Sequence, residues 1–206
     1  HDYGDKEVLL DVWQTHDSTG SPHGVEGQPV FWLAPEELTA SDFPAANRPI
    51  ISAIRLPRQL AITGDADTTG DAIERCVRGF EHQAPPLVLL RLPSLASEAY
   101  TGAAGQCLQR LPETSVVVHD RPELVADLPV AGVHLSWRRA ASLTERPVPE
   151  DRWFGVSCHN ADELAHSAAI GADYATLGPV LPTPSHPEAE GMGWDRFTEL
   201  ADRAVL

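Results

Sequence analysis

The chain has 206 residues, 42% of them hydrophobic, with 30 Asp and Glu against 15 Lys and Arg, which is room for one large α/β domain or a medium domain preceded by part of another. A net charge of −15 repels phosphate backbones and anionic headgroups, so neither a nucleic-acid polymer nor a membrane surface is an expected partner, while a local pocket for a small anion stays open. No run approaches eighteen consecutive apolar residues and the opening HDYGDKEVLL has no signal-peptide pattern, so the expected compartment is cytoplasmic.

Taken in chain order, Val8, Leu10 and Val12 alternate with Leu9, Asp11 and Trp13 and predict a strand over 7–14. A Gly- and Pro-rich loop leads to a second strand around Val30-Phe31-Trp32-Leu33, and Pro35-Glu-Glu-Leu38 starts a short helix. A helix from Ala46 to Ile54 follows, with Pro49 in its first turn, where a missing N–H does little harm. At Leu56-Pro57-Arg58 the rhythm changes. From there a short aliphatic run, a polar cluster and an Ala/Leu/Glu-rich helix repeat about every 20 to 30 residues, the signature of βα repetition. The runs are Leu60–Thr63, Leu87–Leu90, Ser115–Val118, Gly132–Leu135, Trp153–Val156 and Tyr174–Leu177. Helices are expected over Asp71–Phe80, Ser97–Leu111 and Ala161–Ile170, the last closed by Gly171. Short strands buried on both faces and separated by single helices require a parallel sheet with right-handed crossovers. Cys76, Cys107 and Cys158 are an odd number at wide spacing, which speaks for reduced, mostly buried thiols.

Two phrases in the first part stand out: Gly20-Ser-Pro-His-Gly-Val-Glu-Gly-Gln-Pro-Val-Phe-Trp32, and Asp42-Phe-Pro-Ala-Ala-Asn-Arg-Pro-Ile50. In order and spacing they resemble the C-terminal part of MutT-type Nudix hydrolases. The resemblance covers roughly residues 1–56 and implies an α+β domain that hydrolyses oxidised guanine nucleoside triphosphates with Mg²⁺. It makes Glu26 the late acidic residue, catalytic and metal-assisting, and Asn47 the base reader. An amide suits that second role, because 8-oxoguanine presents a donor at N7 beside the O6 acceptor, and one amide pairs with both. The plainer alternatives are a solvated carboxylate at Glu26 and a helix N-terminal or turn residue at Asn47. The glycine-led R-E-x-x-E-E box of that family occurs nowhere in the chain.

From Leu60 onward the phrases Gly132-Val-His-Leu135, Gly155-Val-Ser-Cys-His159 and Asp173-Tyr-Ala-Thr-Leu-Gly-Pro-Val-Leu-Pro-Thr-Pro-Ser185, with Gly193-Trp194, resemble the thiamine phosphate synthase/TenI family of (β/α)8 barrels. Each sits where a barrel strand ends, the face on which such barrels place their sites. The resemblance implies a pocket for thiazole phosphate and, in synthases, for a pyrimidine pyrophosphate with Mg²⁺. On this frame the expected catalytic residues are His119 and His186, with Arg91, Asp120, Ser157, Thr183 and Ser185 binding substrate. The departures are specific. The family's two pyrophosphate-facing lysine positions hold Pro93 and His186, its N-D is His119-Asp120, and its acidic positions after the fourth strand are Arg138 and Arg139. What remains, His119, Asp120, His134, Ser157, His159 and His186, suits proton transfer near neutral pH. TenI-type tautomerases use such chemistry, although Pro179 stands where their pattern has a histidine. His134, alternating with Val133 and Leu135, reads as bonded internally.

The expected architecture is therefore α/β: an incomplete TIM-type (β/α)8 barrel over 57–206 showing six of eight units, preceded over 1–56 by the C-terminal part of an α+β Nudix domain, all within a longer polypeptide. The expected function is Mg²⁺-dependent hydrolysis of 8-oxo-dGTP to 8-oxo-dGMP and pyrophosphate. The alternative makes the barrel a non-catalytic module for thiamine or thiazole phosphate, or a thiazole tautomerase-like isomerase.

Overall fold

The computed structural model describes residues 12–39, 42–183 and 190–204, apart from the side chains of 75 and 76. The chain divides into two units that meet at Leu56-Pro57.

Among the described residues of the first unit there is no strand. Short 3-10 turns occupy Pro35–Glu37 and Ala45–Asn47, and one helix, α1, spans Arg48–Arg55 with Pro49 in its first turn. It ends where Leu56, extended at ψ 124°, precedes a proline that disfavours helix. The strand expected over 7–14 lies largely outside the described residues, and its last three, Val12, Trp13 and Gln14, are irregular. The strand expected at 30–33 does not form. Val30, Phe31, Trp32 and Leu33 are 49, 69, 79 and 41% exposed, so alternation there meets neither a partner ladder nor an apolar surface that would reward extension. The α+β Nudix architecture expected for this segment is thus not found in its described residues.

The second unit is a parallel six-stranded sheet in the order β1-β2-β3-β4-β5-β6. The strands are β1 (Leu60–Ile62), β2 (Leu87–Leu90), β3 (Ser115–His119), β4 (Gly132–Leu135), β5 (Trp153–Cys158) and β6 (Tyr174–Leu177). Between β1 and β2 lies a composite helix: α2 (Thr69–Asp71), capped by the Thr68 side chain, a π-helical stretch Ala72–Val77, and α3 (Arg78–Glu81). The later connections carry α4 (Ser97–Arg110), α5 (Leu124–Asp127), α6 (Trp137–Ala140) and α7 (Ala161–Ala169), and α8 (Trp194–Arg203) follows β6. Gly171, at φ +79°, closes the α7 turn in the left-handed conformation that glycine takes without strain. The expected barrel is thus present as a six-strand parallel half, with β1 and β6 at its edges.

Register sorts the strand side chains into two faces. Leu90, Val116, Val118, Val133, Leu135, Phe154, Val156 and Cys158 face the helices and join Tyr100, Ala103, Ala104, Cys107 and Leu164 in one apolar core. The alternate set carries the polar groups: His119, His134, Ser157, Tyr174 and Thr176, with Leu89 and Val117 below them. Because all strands run in parallel, His119, His134, Ser157 and Thr176 lie toward the C-terminal ends of β3 to β6, while Tyr174 opens β6.

Candidate functional site

One register row crosses four strands: His119 pairs with His134, His134 with Gly155, and Gly155 with Tyr174. Gly155 is what lets the two flanking rings meet. A Cβ there would lie 2.2 Å from Tyr174 Cζ and 2.6 Å from His134 Nδ1. In its absence the Tyr174 hydroxyl reaches His134 Nδ1 at 3.3 Å, and the two rings tilt together at 5.5 Å. On its other side His134 stacks on His119, with centroids 6.2 Å apart. Its Nε2 lies 2.9 Å from Ser157 Oγ, which also accepts from Thr176 Oγ1 at 3.4 Å. Ser157 and Thr176 form the next row, one step toward the open mouth.

His134 is 1% exposed. Burial, helped by the neighbouring His119, pushes its pKa down to about 3, with Asp120 opposing. Burial likewise pushes the Tyr174 hydroxyl well above its ordinary range. Both groups are therefore neutral hydrogen-bonding groups at physiological pH. His119 is also lowered, first by burial, while Asp120 pulls the other way and the cations Arg91 and Arg121 add to the lowering. At both His119 and His134 burial thus favours the neutral imidazole.

The loop ends are pinned by backbone bonds. Tyr100 of α4 donates to Leu90 O (2.5 Å) and accepts from the His119 N–H (2.9 Å), stitching the ends of β2 and β3. Thr63 does the same for β1 and β2, accepting from the Arg91 N–H at 2.7 Å and donating to its carbonyl at 3.1 Å. Asp120, in the left-handed region at φ +54°, takes the Ser136 N–H (2.7 Å) and the Ser136 hydroxyl (2.8 Å) on its two carboxylate oxygens. Glu163 receives the His159 N–H and Nδ1 at 2.8 and 2.7 Å, and Asn160 Nδ2 at 2.9 Å.

Of the residues singled out from the sequence, Arg91, His119, Asp120 and Ser157 all stand at the C-terminal ends of β2, β3 and β5. Thr183 is half-buried beyond β6, and Ser185 and His186 lie outside the described residues. Glu26 and Asn47 belong to the first unit. Glu26 is exposed in a turn, its N–H bonded to Gln28 Oε1, and Asn47 precedes α1 without a side-chain cap bond. Sequence reasoning passed over Tyr174, Thr176 and Tyr100 as site residues. The signal for the first two was available, since period-two alternation puts Tyr174 and Thr176 on the face of Ser157. Nothing local marks Tyr100, whose partners come from two other strands.

Residues 60–205 match the model of the thiamine monophosphate synthase family, TMP-TENI. The chain belongs to that family. The thiamine-phosphate synthase of Lactococcus lactis subsp. cremoris is 36% identical over 88 residues, 41% of this chain and 40% of that protein. The putative thiamine-phosphate synthase 2 of Aquifex aeolicus is 24% identical over 155 residues, 74% of this chain and 83% of that protein. A solved structure, the thiamine phosphate pyrophosphorylase from Pyrococcus furiosus, superposes with a TM-score of 0.49 at 15% identity, covering 72% of this chain and 71% of that one. The chain spans well under half the length of the Lactococcus protein and of the matching Bacillus velezensis synthase.

Membership in the TMP-TENI family overturns the hydrolase expectation. The related proteins are synthases, which join two substrates, and the matched span starts at Leu60, beyond the segment on which the hydrolase reading rested. No comparison supports an oxidised guanine nucleotide as ligand, the reading on which the roles expected of Asn47 and Glu26 rested. Nor do the described residues of the mouth offer a fit for the Mg²⁺ of a synthase. A divalent magnesium ion asks for oxygen ligands that are free to turn to it. Among the described residues no three His, Cys, Asp or Glu side chains gather as a metal ion would need, and Asp120 already accepts two hydrogen bonds from Ser136. No described helix is long and apolar enough to cross a membrane.

Proposed function

We propose that residues 57–206 bind a phosphorylated thiazole or thiamine at the C-terminal ends of β2 to β6, as a binding barrel that does not condense two substrates. The observation that carries the reading is the neutral polar row bonded through His134 to the Ser157 hydroxyl, with Arg91 near enough to His119 to act on it electrostatically, in a chain of the TMP-TENI family. Arg91 supplies positive charge for a phosphate, its backbone held by Thr63, and Ser157 and Thr176 supply hydroxyls to ligand oxygens. Condensation asks for more. Departure of pyrophosphate concentrates negative charge that a divalent cation and lysines must meet, and here Pro93 and His186 occupy the lysine positions. An isomerase role is disfavoured by the imidazole best placed in the row, since His134 does not take up a proton until pH falls to about 3.

Titration calorimetry of the full chain with thiamine phosphate tests this. Binding is expected, weakened about tenfold or more by Arg91→Ala and by Ser157→Ala, together with no thiamine phosphate synthesis above a heat-killed control. Absence of binding would sink the ligand assignment, and synthesis above the control would sink the non-condensing half.

A further inference from the structure

We propose that Tyr174 is a positioning residue: by donating its phenolic hydrogen to His134 Nδ1 it fixes the imidazole as the Nε2–H tautomer, which leaves the Ser157 hydroxyl a pure donor aimed at an acceptor such as a phosphate oxygen. The assignment follows from counting hydrogens. Tyr174 is 8% exposed, and His134 Nδ1 is the hydrogen-bonding partner of its hydroxyl among the described residues. If Nδ1 carried the proton and donated to Tyr174, the phenolic hydrogen would be buried with no acceptor, an arrangement folded proteins avoid. So Nδ1 accepts, and the ring's one hydrogen sits on Nε2, 2.9 Å from Ser157 Oγ. That oxygen takes a second hydrogen from Thr176 Oγ1 at 3.4 Å. With the Nε2 hydrogen on one lone pair and the Thr176 hydrogen on the other, Ser157 has its own hydrogen left to offer a ligand.

The device is built into the sheet. His134, Gly155 and Tyr174 share one row, and only a residue without Cβ at the centre lets the outer two touch. Burial supports its persistence, since His134 stays neutral down to about pH 3 and Tyr174 stays protonated far above neutrality. The titratable groups that act on His134 are His119 and Asp120, with opposite signs. The chemical consequence is a selection rule. A group rich in acceptors, such as phosphate or pyrophosphate, completes the Ser157 bond, whereas an amine or ammonium presents a second donor and is rejected.

The tautomer does not depend on the ligand reading, but its use in selecting a phosphate rests on that reading, so the experiment separates the two. Long-range ¹H–¹⁵N correlation on the full chain labelled with ¹⁵N-histidine is expected to show His134 as the Nε2–H tautomer, unchanged between about pH 5 and about pH 9. In Tyr174→Phe the Nδ1 resonance is expected to move as its donor is lost, and affinity for inorganic pyrophosphate to fall about fivefold. An Nδ1–H tautomer in the wild-type chain overturns the inference without recourse to any variant. So does a Tyr174→Phe chain with His134 resonances and pyrophosphate affinity both unchanged. An Nε2–H tautomer in a wild-type chain that binds neither pyrophosphate nor thiamine phosphate supports the positioning role and defeats the ligand reading.

Discussion

Asp120 grips Ser136 twice, one carboxylate oxygen on the amide at 2.7 Å and the other on the hydroxyl at 2.8 Å. The loop after β3 is thereby locked to the start of α6, whose first backbone donors need partners outside the helix. Asp120 holds this position at φ +54°, a conformation Asp tolerates better than most residues. Asp120→Ala removes both acceptors and keeps the unfavourable φ, so a loss of about 1 to 3 kcal/mol is expected. Asp120→Asn, which retains one acceptor, is expected to cost less. Urea unfolding of both variants checks the order, and equal stability of Asp120→Ala and wild type would show that the clamp contributes nothing net.

Two strand glycines allow a comparison of what a single methyl costs. At Gly132 an added Cβ would lie 2.0 Å from the Trp153 carbonyl oxygen and 2.6 Å from its nitrogen, both backbone atoms. At Gly155 the near atoms belong to the side chains of Tyr174 and His134. Side chains shift more cheaply than a ladder of strands, so Gly132→Ala is expected to be the more damaging, beyond the roughly 1 to 3 kcal/mol usual for overpacking. Yield of folded protein and the midpoint of thermal unfolding should rank wild type above Gly155→Ala and Gly155→Ala above Gly132→Ala. The reverse order of the two variants would refute the argument.

The barrel half was readable because aliphatic runs bounded by Pro and Gly leave little freedom. All six strands begin at the residue predicted, from Leu60 through Tyr174. Strand β5 runs on to Cys158, and β1 stops before Thr63, whose hydroxyl is bonded to Arg91. The same alternation misled at 30–33, where period-two patterning has no neighbouring strand to answer it. At the site, Arg91, His119, Asp120 and Ser157 were legible as polar residues at strand ends. Their roles were not. The clamp at Asp120 depends on a left-handed backbone residue, and the His134–Tyr174 contact joins residues 40 apart across a strand that must carry glycine between them. Neither can be read from the residue's own neighbourhood in sequence.

At the opposite, N-terminal end of the strands, Arg146 forms a buried centre for the loop before β5. Its Nη2 lies 2.7 Å from Asp173 Oδ2, and it donates further to the carbonyls of Gly171 (2.5 Å) and Arg152, with 9 and 6% of the two charged side chains exposed. Asp173 also accepts the Phe154 N–H at 2.8 Å. Removing one member of such a pair strands a buried charge, so Arg146→Ala is expected to cost about 3 to 5 kcal/mol. Arg146→Met, joined with Asp173→Asn, should recover part of that by removing both charges. Chemical denaturation of the single and double variants decides, and a double variant as damaged as the sum of its parts would contradict the pairing.

Acid should expose His134. In the unfolded chain its imidazole takes up a proton below about pH 6.5, whereas in the fold burial, with His119 adding to it, holds the pKa down to about 3. Between those values the unfolded state binds a proton that the native state does not. Stability therefore rises with pH across this window and is flat above it, so far as this group is concerned. Read downward, the contribution is fully present above about pH 6.5 and is lost at about 1.4 kcal/mol per pH unit as pH falls toward 3. His119, lowered chiefly by burial, adds in the same direction. His134→Gln keeps a polar side chain without a proton to take up. It should be less stable than wild type at pH 7, because the bonds to Ser157 and Tyr174 are disturbed, yet lose less stability between about pH 6 and about pH 4. Urea midpoints at each pH give the two slopes, and parallel slopes would mean that His134 is not the buried neutral imidazole described.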